Sequence, residues 1–194
     1  MERAERLSPD EFWERIDESE RSVRDSAAAW PSYAVVDWAG PAMVGEWAFG
    51  SGPHAIVHGN PLATRRDVDD VVLAGLEEPH IVVRTGDDDA RGTVHRLRRA
   101  ASRPGDERDA DGAPPDEIAE VVVGSTPVLF EVWHERDGWW AGGAYHDDVI
   151  VIEARGVEPE TVRLCRVLDI EPFLRQRREW IARLRGESAE PENG

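Results

Sequence analysis

Apolar residues recur at three- and four-residue spacing near both ends of this chain and alternate with polar ones between them. Phe12, Ile16, Val23 and Ala27 make the first helical stripe. Its start carries every local signal a helix needs. Ser8 is the N-cap, Pro9 the first helical residue and Glu11 the partner in a capping box, while Leu7 and Phe12 are spaced as a hydrophobic staple. The helix is expected to stop before Trp30-Pro31, because a proline forces its predecessor out of the helical region. A last helix opens at Asp169, takes Pro172 into its first turn and buries Phe173, Leu174, Trp180, Ile181 and Leu184.

The middle of the chain reads as strands. Runs at 33–38, 44–49 and 54–58 are separated by Gly and Pro, as in a meander. A helix capped by Thr64 is expected through 67–76, then a strand over 80–84 and a short arginine-rich helix over 93–101. Further strands are expected at 120–123, 128–135, 139–146 and 149–153, while 162–168 fits either a strand or a helix, with the strand preferred. Within Arg136-Asp137-Gly138-Trp139 the Asp-Gly pair suits a type I′ turn, which sets Trp133 opposite Gly142 and Leu129 opposite His146. Residues 103–117 hold three prolines, two glycines, six acidic residues and no large hydrophobe, so they read as a flexible acidic loop. The expected fold is α+β: antiparallel β-meanders packed by the N-terminal and C-terminal helices, as one domain over 1–194. The stretches around 33–57 and 130–151 echo each other, which leaves two similar halves, 1–102 and 118–186, as the alternative.

Composition changes the picture of environment. The chain has 23 arginines, no lysine and 40 acidic residues, for a formal net charge of -17. That balance resembles the composition of proteins from salt-saturated cytosols, where acidic surfaces stay dispersed although screening lengths fall to roughly 3 Å at 1 M salt. The single cysteine, Cys165, cannot close an internal disulfide, and the first residues offer no apolar signal segment, so a cytoplasmic location is expected. The charge-free run 47–64 is interrupted by Gly and Pro and is unsuited to a bilayer. The acidity argues against a nucleic-acid partner, since phosphate binding rests on neutralising cations.

No catalytic motif is complete. His54 and His58 fall on a strand, where residues four apart lie roughly 13 Å from one another and cannot share an ion. Residues 107–112 imitate the start of an EF-hand loop, but Ile118 stands where the bidentate glutamate belongs. No metal and no cofactor is therefore expected. Gly50-Ser51-Gly52-Pro53 and Ser125 read as turns, and Cys165 as a small buried apolar side chain. Two sets of residues remain. Arg96, Arg98, Arg99, Arg178 and Arg185 form basic stretches suited to a partner surface, another protein's acidic face or phosphate. On the 128–146 hairpin, the inferred register makes Glu131 and His146 diagonal neighbours beside Trp133 and Trp140, an arrangement for acid-base work, with His134 as a further candidate, or for gripping a flat ligand. The leading expectation is a non-catalytic binding or protein-interaction module. The alternative is a small hydrolase or isomerase using Glu131 and His146.

The charge balance predicts that molar KCl raises the thermal midpoint, because added salt screens repulsion among the carboxylates. Melts from low to molar salt test this, and an unchanged midpoint would contradict it.

Overall fold

The computed structural model describes residues 8–45, 54–62, 75–86, 89–101 and 113–186. The staple residue Leu7, residues 67–74 of the helix expected at 67–76, the outer part of the 44–49 strand, the 50–53 turn and most of the 103–117 loop lie outside them. The end of that expected helix is not helical, since Leu76 forms an isolated antiparallel bridge with Pro61. Helix α1, Pro9–Ala29, starts where its cap dictates. The Ser8 N–H donates to Glu11 Oε2 at 2.8 Å, and the Glu11 N–H donates to Ser8 Oγ at 3.3 Å. Helix α2 is Ala90–Ala101, and helix α3, Glu171–Arg185, ends on Gly186 in the left-handed conformation that glycine favours at a C-cap.

Nine strands form one curled sheet: β1 Ser32–Val35, β2 Ala42–Gly45, β3 Ala55–His58, β4 His80–Gly86, β5 Glu117–Val123, β6 Thr126–Glu135, β7 Gly138–Tyr145, β8 Asp148–Arg155 and β9 Arg163–Val167. Their order is β1-β9-β5-β6-β7-β8-β4-β3-β2, and only β5 and β9 run parallel. The fold is thus α+β with a mixed sheet, which takes four strands from before residue 102 and five from after 112. The meander expectation holds for β5 to β8. Among the first three strands it holds for β2 and β3, which pair antiparallel, and fails for β1, which pairs with β9 at the opposite edge. The link between β1 and β2, with Asp37 at φ 59° and Pro41 just before β2, carries the chain from one edge to the other instead of closing a hairpin.

The β6–β7 register also differs from expectation, by two residues. Glu131 faces Gly142 and Trp133 faces Trp140, so the turn is Arg136-Asp137. Gly138 is needed inside β7, where a Cβ would sit 2.2 Å from the Ala154 carbonyl oxygen on β8. Its missing side chain serves close strand approach rather than a turn. An even shift leaves the face assignment intact. Phe130, Val132 and Ala141 point into the curl with Val83, Val121 and Leu164. On the outside, α1 and α3 cover β2 to β4 through Phe12, Ile16, Trp180 and Ile181, and α2 covers β6 to β8 through Val94 and Leu97.

The two sheet edges are closed by side chains. The Val36 N–H donates to the Arg163 carbonyl on β9 at 2.8 Å. Amide directions alternate along a strand, so the Val35 N–H points to the open side, and there it donates to His58 Nε2 at 3.0 Å. Beside it, Ser32 Oγ and His54 Nε2 lie 2.6 Å apart. Both histidines share the inward face of β3 with Ile56, which stands opposite Val83. At the other edge, the Ala42 N–H of β2 donates to Gln176 Oε1 on α3 at 2.8 Å.

Burial holds both imidazoles below the usual histidine range, His58 at about 4. A histidine with a depressed folded value binds more protons when unfolded, so its stabilisation is complete above about pH 6.5 and is lost as pH falls through the folded value. Melts between pH 7.5 and 4.5 should therefore show falling stability, with a slope of up to about 1.4 kcal/mol per pH unit for each histidine. His58→Gln keeps an acceptor for Val35 but cannot titrate, so it should have a shallower slope. A slope equal to wild type would remove His58 from the account.

Candidate functional site

Past β1 the chain cannot continue as a strand, because Asp37 takes the left-handed region, which Asp tolerates better than most side chains. This turn sets Trp38 against the His58 ring, with centroids 5.7 Å apart and planes inclined at 61°. Gly40 lets the indole lie where it does: a Cβ there would stand 2.8 Å from Trp38 Nε1. That nitrogen is buried and meets no hydrogen-bond acceptor among the described residues. A buried donor left without an acceptor is costly in a folded protein.

Trp38 forms one wall of a cavity of about 480 Å³ at the end of the curl where β1 stops and β4 begins. Ile81 and Val162, both nearly inaccessible to solvent, belong to its deep part. Val35, Pro79 and Val157 add apolar surface, and the exposed Asp37, Asn60 and Glu78 lie at its rim. Thr161 also lines it, its hydroxyl donating to the Glu158 carbonyl at 2.7 Å. Among the described residues, none that line this cavity is basic. It is a concave, mainly apolar site of small-ligand size with a few polar groups.

A second cavity, of about 410 Å³, opens at the opposite end between Tyr33, Tyr145, His146, Asp148 and Arg166. The Tyr33 hydroxyl donates to Asp148 Oδ2 at 2.7 Å, and burial with this carboxylate raises the phenol above its ordinary value.

The residues singled out from sequence are not brought together. Glu131 is bound by the Arg91 guanidinium, whose Nε donates to Oε2 at 2.8 Å and whose Nη2 donates to Oε1. His146 leaves the hairpin in the β7–β8 turn at φ 56°. It lies four residues beyond Gly142, the partner of Glu131, which is roughly 13 Å along the strand. His134 meets Glu117 instead, with 2.8 Å between Nε2 and Oε1. Trp133 and Trp140 are buried beneath α2. The Trp133 indole donates to the Ala113 carbonyl at 3.0 Å, and the Arg84 guanidinium sits 5.5 Å from the Trp140 ring while donating to Glu153 at 2.8 Å. These two indoles are core, because α2 closes over the face that the sequence left open.

The basic stretches serve the fold in large part. Arg96 donates to Thr93 Oγ1 at 2.9 Å and Arg98 to Glu135 at 3.1 Å, while Arg99 is exposed on α2. Arg178 binds Asp17, lies 3.3 Å from Glu20 and stacks over Trp13, and Arg185 stands 4.0 Å over the Phe12 ring, so both tie α3 to α1. Cys165, expected in the core, is exposed, because alternation on β9 turns Leu164 inward and Cys165 outward. Among the described residues no group of three or more His, Cys, Asp or Glu side chains is placed to hold a metal, and no helix is long and apolar enough to cross a membrane.

The Trp38 cavity was missed in sequence. Its residues come from four separated segments, and the one local sign was a tryptophan followed closely by Gly40-Pro41. No family model, curated protein or solved structure matches the chain.

Proposed function

We propose that the protein is a non-catalytic binding module of a salt-rich cytosol and that its ligand occupies the Trp38 cavity. The observation that carries this reading is the apolar cavity of about 480 Å³, walled by Trp38 and reaching the nearly inaccessible Ile81 and Val162. A ligand there removes apolar surface from water on the surrounding walls, which favours binding. The walls are fixed before any ligand arrives. Trp38 rests on His58, and His58 is tied to β1 through Val35, so little ordering remains to offset affinity. The hydrolase or isomerase alternative has lost its motivating pair, since Glu131 faces Arg91 and His146 lies at the other end of the curl.

The neutral dye N-phenyl-1-naphthylamine tests the reading, because its emission rises on entering an apolar site. Wild-type protein should enhance it saturably, at one dye per chain. Val36→Trp, at a partly exposed lining position, should weaken the enhancement at least about tenfold without lowering the melt. Equal binding by wild type and variant would place the dye elsewhere and contradict the proposal.

A further inference from the structure

We infer that the Trp38 cavity selects a small hydrophobic amine: a protonated or quaternary nitrogen on an apolar body. This rests on the binding reading above and adds the chemical class of the ligand.

Two features of the site converge on that class. The first is charge. Among the described residues, the ionisable side chains lining the cavity are Asp37 and Glu78, both carboxylates and both exposed at the rim. They flank apolar walls, so a bound cation is attracted where part of its surroundings is low in dielectric, and the attraction is screened less than on open surface. An anionic ligand meets the same two carboxylates, and the chain's net charge of -17 opposes its approach from a distance.

The second feature is the indole itself. Tryptophan presents the most favourable aromatic face to an ammonium group, at distances within about 6 Å of the ring. Trp38 is only half buried and supplies a wall of the cavity beside Asp37, so ring and carboxylate can act on one nitrogen together. Size restricts the occupant to a small molecule. A cavity of about 480 Å³ lies near the lower end of ordinary small-ligand sites, and its deep walls, Ile81 and Val162, call for an apolar group rather than an extended peptide backbone.

Three isosteric probes separate charge from shape: 4-phenylbutylamine, 4-phenyl-1-butanol and 4-phenylbutyrate. Binding to the full chain is followed in 0.15 M salt by the indole N–H resonance of Trp38. The amine should bind about tenfold more tightly than the alcohol, and the carboxylate more weakly than either. In Asp37→Asn/Glu78→Gln the amine should fall to the level of the alcohol, whose own affinity should not change. Asn is well tolerated at the left-handed φ of position 37, so the turn is kept. As a control for overall charge, Glu14→Gln/Glu18→Gln on the exposed side of α1 should retain the amine preference. Equal binding of amine and alcohol to wild type would overturn the amine inference while leaving the cavity as a binding site. An amine preference that survives in the Asp37/Glu78 variant, or disappears in the Glu14/Glu18 one, would also overturn it. If none of the three probes moves the Trp38 resonance, the binding reading falls as well.

Discussion

An open sheet has two edges, and each exposes backbone amides that must find partners or invite another strand. In this protein that constraint governs the rest. The N–H of Val35 points away from β9, and among the described residues no strand pairs with that side of β1. A histidine nitrogen takes the place of a carbonyl. His58 accepts from Val35, His54 meets Ser32, and Gln176 performs the same office for Ala42 at the opposite edge. Side chains thus complete a curl that backbone pairing leaves open. The chemistry of closure is correspondingly different, since an imidazole accepts only while it is neutral at that nitrogen.

The cavity follows from the same closure. His58 sits behind Trp38, so the residue that ends the seam also props the wall of the proposed site. Asp37 and Gly40 then decide where the indole lies, one by its backbone conformation and the other by the absence of a side chain. Because the remaining lining comes from the residues just after β3, the start of β4 and the segment between β8 and β9, the site forms only when distant strands have been gathered into one sheet.

How much of this was legible follows from the range of each interaction. The capping box at Ser8 and Glu11 and the proline stop at Trp30 are local, and the structure places both as the sequence reads. The strands from β4 onward were legible from their β-branched runs, and the inward set Phe130, Val132 and Ala141 from simple alternation. Gly138 was misread because a glycine after Asp looks like a turn, whereas here it admits the backbone of β8. The fate of Trp133 and Trp140 was misread because nothing local says that α2 will lie across them. The placement of β1 beside β9 joins residues more than a hundred positions apart, the parallel pair it depends on joins β5 to β9 across three intervening strands, and no short pattern announces either. Strand alternation places His54 and His58 on the same face of their segment. Their role as edge caps depends on β1 arriving opposite them, which only the assembled sheet reveals.

The account stands or falls on the hydrogen bond from the Val35 amide to His58 Nε2, and nitrogen NMR of histidine-labelled protein at neutral pH observes it directly. The closure described here predicts a neutral His58 ring with its proton on Nδ1, an unprotonated Nε2 coupled through the hydrogen bond to the Val35 amide nitrogen, and slow exchange of that amide with solvent. A His58 ring protonated on Nε2, together with a Val35 amide that exchanges as freely as an uncovered strand edge, would contradict it.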